Sequence, residues 1–185
     1  MSTQDDARRL ATSLPSVTER LAYGTPAFYV AGSMFARVHD QPGVLMCWRD
    51  CVESREELIA ADPEKFFTTD HYRGHPSVLL RLDRVEVQEL HELLVEAWEA
   101  RATPRLLASS RPRSAGPGDA VESNDLPPGL GAVALRALAE QGVTRLEQVA
   151  TYSERNLLAL HGVGPKTLRV LQEELRSRGS SLRDR

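Results

Sequence analysis

"AFYVAGSMFARVHDQPGVLMCWR", residues 27–49, decides the fold of the first half of the chain. β-Branched, aromatic and other apolar residues fall into three short runs, AFYVA, SMFARVH and VLMCWR. "AGS" at 31–33 and "DQPG" at 40–43 are turn signals between them. Parallel neighbours need a crossover of a dozen residues or more, so connections this short join antiparallel strands. The stretch predicts an antiparallel sheet.

Upstream, "RLAYG" at 20–24 reads as one more strand, and Pro26 after Thr25 sets an extended kink. Before it, Thr3 and Asp6 suit the start of a helix whose stripe is Ala7, Leu10, Ala11 and Leu14, ended by Pro15. Downstream, Ser54 and Glu57 have capping-box spacing for a helix through Ala60 or Ala61. "SVLLRLD" at 77–83 is a strand, and Val87, Leu90, Leu94, Ala97 and Trp98 recur at helical spacing up to about Ala100. The fold class is α+β, an antiparallel sheet flanked by helices.

"SSRPRSAGPGDAVESN", residues 109–124, is rich in Ser, Pro and Gly and almost empty of large apolar residues. It cannot bury enough surface to offset the entropy of ordering, so it reads as a flexible linker between domains at 1–108 and 125–185. The second domain reads as all helix. Ala132 to Gln141 is helical with Gly142 as its stop, and Thr144 and Glu147 have capping-box spacing. Ser153 caps "ERNLLAL", and a last helix runs from Pro165 to about Arg176.

The net charge of −3 hides an asymmetry. Residues 1–108 carry 12 basic and 17 acidic side chains, a balance of −5, whereas residues 125–185 carry 9 and 7, a balance of +2. Attraction to a polyanion therefore belongs to the second domain. The start, "MSTQDDARRL", lacks the basic and apolar regions of a signal peptide, and no apolar run is long enough to span a bilayer. The expected location is cytoplasmic, with no membrane partner. Cys47 and Cys51 lack a second ligand pair for a metal and read as reduced thiols near a strand end. No nucleophile elbow, phosphate-binding glycine loop or zinc pattern is present, so the expectation is a non-enzymatic protein without catalytic residues, metal or cofactor.

"HGVGPKT", residues 161–167, carries the functional reading. Gly162 and Gly164 stand where two helices must reverse, Val163 can plug the small core, and Pro165 suits the first helical position. The amides of Gly164, Lys166 and Thr167 then sit at a helix N-terminus, which carries about half a positive charge. The Thr167 hydroxyl and the charges of Lys166 and Arg169 add to a site suited to a phosphate oxygen. A turn with no ligand is the plain alternative.

The pattern apolar-x-x-apolar-x-Gly-apolar-Gly-Pro-Lys, ending at Lys166, resembles the helix-hairpin-helix family, whose hairpins grip the DNA backbone without reading sequence. The run from Leu130 to about Leu182, with Leu168 where the usual hairpin has alanine, is similar to the C-terminal domain of the RNA polymerase α subunit. That resemblance implies DNA contacts at Gly164, Lys166 and Thr167. It places Val133 where the family has its minor-groove arginine, and Arg136 where it has an asparagine. Arg136 is left to touch phosphate, and the expected binding to duplex DNA is weak, salt-sensitive and sequence-tolerant. Such modules also dock other proteins, so a protein partner is the competing expectation.

In the first domain, "FFTTDHYRGHPSVLLRLDRV" at 66–85, with "LAYGTPAFYV" and "MFARVH", resembles the MmcQ/YjbR family. The resemblance implies a frataxin-like arrangement of sheet and helices, and members are often described as DNA-binding. Within "DHYRGH", Gly74 and Pro76 oppose a helix that would align His71 and His75. One reading is a turn that buttresses the sheet, with Asp70 capping amides, Tyr72 packing and Arg73 paired to a carboxylate. The others are a ligand or partner surface of Tyr23, Asp70, His71 and Arg73, or a metal or catalytic site. A basic face built from Arg37, Arg73, Arg81 and Arg84 is a further expectation.

Overall fold

The computed structural model describes residues 1–110, 125–127, 130–160 and 162–183, in two units, Met1–Arg113 and Ser114–Arg185. His161, the side chain of Val133 and residues 111–124 of the expected linker lie outside the described residues.

The first unit begins with α1 (Gln4–Ser13). Thr3 Oγ1 accepts from the Asp6 amide at 3.1 Å, and the Asp6 carboxylate accepts from the Thr3 amide at 3.1 Å. This reciprocal box satisfies two orphan donors at the helix start. Six strands follow: β1 (Val17–Ala22), β2 (Thr25–Val30), β3 (Ser33–Val38), β4 (Val44–Trp48), β5 (Phe66–Phe67) and β6 (Ser77–Arg81). They form one antiparallel sheet in the order β1-β2-β3-β4-β6-β5.

Two hairpins set the register. Tyr23–Gly24 and Ala31–Gly32 each have positive φ at both positions, 53° and 82°, then 50° and 79°. Two such residues make the turn whose twist matches the flanking strands, with glycine second in each pair. Tyr23 is therefore a turn residue, not part of a strand. Pro26 lies within β2 opposite Leu21, one residue before the register with β3 begins, so its missing N–H breaks no rung there.

α2 (Val52–Ala61) starts two residues before the Ser54 expected as its cap. Cys51 is the N-cap, and its Sγ accepts from the Ser54 amide at 3.5 Å. α3 (Val87–Glu99) buries Leu90, Leu93, Leu94, Ala97 and Trp98. Arg49, two residues beyond Cys47, pairs with Glu96 of α3, with side chains only 8 % and 14 % exposed. The Cys47 side of β4 thus faces α3. On the opposite side Tyr72 packs with Val44, Met46 and Leu79. α4 (Pro104–Ser110) adds a short helix that the periodicity did not announce, and it takes in Ser109 and Ser110 from the expected linker.

The second unit consists of α5 (Ala132–Glu140), α6 (Leu146–Val149), α7 (Glu154–Leu158) and α8 (Pro165–Ser177). α5 closes with Val143 N–H donating to Leu138 O at 2.9 Å, and both side chains join the core. The start of α6 differs from expectation: the amides of Thr144 and Arg145 donate to the Gln148 side-chain oxygen at 2.8 and 2.9 Å, so Gln148, not Glu147, reaches back. Leu146, Val149, Leu157, Val163, Leu168, Leu171 and Leu175 complete a small apolar core.

Candidate nucleic-acid interface

α7 is capped by Ser153, whose hydroxyl accepts from the Asn156 amide at 3.3 Å. The chain then reverses. Val163 N–H donates to Leu160 O at 3.0 Å, and Gly162 holds φ at +89°. A side chain there would meet the crowding that makes left-handed backbone unfavourable for L-residues. Val163, 4 % exposed, anchors the turn in the core. α8 opens immediately afterwards, with Gly164 as N-cap and Pro165 as its first residue.

The first rung of α8 runs from Leu168 N–H to Gly164 O at 2.9 Å. The amides of Lys166 and Thr167 precede that rung, and Gly164 has no side chain with which to cap them. The first turn contains no acidic residue. Lys166 is half-buried and Arg169, three residues on, is exposed. Arg136 lies half-buried on α5. The structure thus assembles glycine turn, helix start and two cations on one short segment, an arrangement suited to an anionic oxygen.

One residue needs correction. Thr167 is 5 % exposed and belongs with Leu168, Leu171 and Leu175 to the buried stripe of α8. Its hydroxyl is not presented outward, and what position 167 offers is its amide. Val163 is the core plug that its place between the two glycines predicts, so its side chain is no part of a contact surface.

The first-unit candidates are tied to their own neighbours. Asp70 and Arg73 pair at 2.6 Å with both side chains largely in solvent, so Asp70 serves Arg73 and caps no amide in the single 3-10 turn it opens. His71 sets its ring edge-on to Tyr72 at 4.9 Å. Arg55 of α2, itself buried, donates to the carbonyls of Tyr72 and His75 at 3.1 and 2.5 Å and holds the segment to α2. Tyr23, 87 % exposed, has the Arg37 guanidinium 5.3 Å from its ring centre.

Arg37 is the residue that sequence reasoning undervalued. It is buried and donates to Thr25 and Asp40 at 3.0 and 3.2 Å. Burial opposes its charge, and the Tyr72 and Asp40 oxygens outweigh that, raising its pKa. Burial first, then the nearby Arg37 charge, lowers the pKa of His39. Tyr23 is thus paired with Arg37, and Tyr72 packs with His71 and His39 at ring-centre distances of 4.9 and 6.2 Å. The only advance signal was an arginine in the middle of an otherwise apolar strand. Among the described residues no group of three potential metal ligands converges, and no helix is long and apolar enough to cross a membrane.

Comparison with known proteins fits this anatomy. Residues 128–177 match the SAM-like helix-hairpin-helix tandem family model, and a domain of this type points to nucleic-acid binding. Residues 12–100 match the YjbR model. The uncharacterized proteins Rv2570 of Mycobacterium tuberculosis and Mb2600 of Mycobacterium bovis are each 33 % identical, over 58 % of this chain and 94 % of theirs. The crystal structure of Deinococcus radiodurans protein DR2400, with family-model domain DUF419, is 30 % identical, covers 53 % of this chain and 77 % of its own, and has a TM-score of 0.45. The sheet-and-helix unit, its family-model match and these near-full-length relatives together show that the chain belongs to the YjbR family, here carrying a helix-hairpin-helix domain as well.

Proposed function

We propose that this protein is a non-enzymatic DNA-binding protein whose helix-hairpin-helix unit holds duplex DNA by its phosphates. The observation that carries the reading is the start of α8: a glycine N-cap, amides ahead of the first helical rung, and Lys166 and Arg169 on the same turn. Backbone amides and long cations meet phosphate oxygens, which are the same at every base pair, so the contact is sequence-tolerant. With a balance of only +2 in residues 125–185, the affinity is modest.

The test is fluorescence anisotropy of a labelled duplex at low salt with the full chain. The Lys166→Glu, Arg169→Glu pair loses most of the affinity, while AT-rich and GC-rich duplexes bind alike. Equal affinity of the wild type and that pair sinks the proposal.

A further inference from the structure

Beyond Gly179 the chain does not trail away from the helical unit. Ser180 N–H donates to Leu175 O at 2.8 Å, and Arg183 N–H donates to Tyr152 O at 3.1 Å. The returning tail, α7 and the second half of α8 enclose an open groove of about 1000 Å³. Leu158, Ala159 and Leu182 are its apolar lining, and Leu158 is 42 % exposed, one of few large apolar side chains so open to water.

Three arginines, Arg155, Arg176 and Arg183, line the same groove. None makes an ion pair among the described residues. The acidic residue beside them, Glu154, is engaged by Gln172 at 3.5 Å. The groove therefore combines apolar surface in water with three cations that form no ion pair among the described residues, against the single carboxylate of Glu154. Its size lies at the upper end of small-molecule clefts, which span roughly 300–1,000 Å³, and its open shape suits a chain segment.

We propose that this groove docks an acidic, leucine- or phenylalanine-bearing peptide segment of a partner protein. A purely apolar partner would desolvate the arginines without compensation, which is strongly unfavourable. A sugar-phosphate strand would satisfy the arginines and leave Leu158 and Leu182 without an apolar partner. An acidic segment with apolar side chains on one face satisfies both.

The groove shares no residue with the glycine turn. Gln172 lies seven residues beyond Pro165, about 10 Å along α8 at ~1.5 Å per residue. Occupancy of one site does not require the other, and the docking inference stands or falls apart from the DNA proposal.

The probe is a fluorescein-labelled synthetic peptide with glutamates and aspartates around leucines and a phenylalanine on one helical face. The full chain binds it saturably. Arg155→Ala with Arg183→Ala weakens binding at least tenfold, as does Leu158→Ser, and Lys166→Glu leaves it unchanged. Circular dichroism shows each variant folded. A peptide with its carboxylates replaced by amides, or its apolar residues by serine, loses binding. No binding of the acidic peptide, equal binding of its amide form, or indifference to the arginine pair overturns the proposal. Loss of duplex-DNA affinity in the arginine pair with no loss of peptide affinity also overturns it, and makes the groove a nucleic-acid contact.

Discussion

The salt dependence of DNA binding is the sharpest measure of the contact at α8. Each phosphate neutralised on duplex DNA releases condensed counterions and contributes about −0.9 to the slope of log affinity against log salt. Taking Arg136, Lys166 and Arg169 as one phosphate each gives a slope of about −2.7, or roughly a 40-fold loss of affinity between 50 and 200 mM salt. The Lys166→Glu, Arg169→Glu pair leaves only Arg136, for a slope of about −0.9 and a loss of roughly 3- to 4-fold over the same range. Backbone amides release no counterions, so a glycine-turn contact without the cations contributes affinity with almost no slope. Anisotropy of a labelled duplex, titrated with the full chain at five or so salt concentrations, separates these cases. A slope that stays unchanged in the double variant refutes the assignment, whatever the absolute affinity, because the cations near α8 would then not be the ones that meet phosphate.

Glu96→Gln leaves the buried Arg49 charge without its counter-ion and costs about 3–5 kcal/mol, whereas Arg49→Met with Glu96→Leu recovers most of it. Urea unfolding followed by tryptophan fluorescence measures this in the first unit alone, since Trp48 and Trp98 both lie there. Thr3→Ala removes the α1 cap at about 1 kcal/mol, read from the same unfolding curves. The Thr3 hydroxyl first, then Arg9, holds the Asp6 carboxyl below its ordinary 3.8, so this stabilisation is present above that value and is lost as pH falls through the lower folded one. The gap between wild type and Thr3→Ala therefore narrows in strong acid. Gly162→Ala, forced to φ near +89°, destabilises the hairpin by about 1–2 kcal/mol and lowers DNA affinity, both measurable in one preparation. Burial pushes the Cys47 thiol up to about 12, so iodoacetamide at pH 8 modifies half-buried Cys51 first and Cys47 only on unfolding, as peptide mass spectrometry reports.

The sheet was legible because its signals are local. Short apolar runs with two-residue or proline-glycine turns leave an antiparallel meander as the simplest pairing, and β2, β3 and β4 fall where residues 27–49 place them. Signals shared between two structures were not legible. "RLAYG" has strand composition, yet the chain spends Tyr23 and Gly24 on a hairpin whose twist outweighs tyrosine's preference for a strand. Ser54 and Glu57 have capping spacing, but the Cys51 sulfur takes the cap because α2 starts earlier. The two-residue β5 is too short to show any period. In the second unit the glycine turn, Pro165 and the leucine stripe were readable. The burial of Thr167 was not, because a threonine among Lys166, Leu168 and Arg169 looks the same in sequence whether it faces the core or the solvent.

The four arginines that might have given the first unit a basic face show why net charge and available charge are different quantities. Arg37 is buried against Thr25, Asp40 and Tyr72. Arg73 takes Asp70 at 2.6 Å. Arg81 lies 4.3 Å over the Phe67 ring and donates to the Glu64 carbonyl at 2.7 Å. Arg84 sits between Glu64 and Asp83 at 3.8 and 4.0 Å. A phosphate approaching any of them must displace an existing partner, and it does so against a balance of −5 over residues 1–108. Around the groove of the second unit, Arg155, Arg176 and Arg183 make no ion pair among the described residues, and Glu154 is the one carboxylate in the lining. Counter-charge supplied from inside the fold makes an arginine a structural strut. An arginine with no such partner keeps its charge available, and this difference is what the docking proposal for the groove of the helical unit rests on.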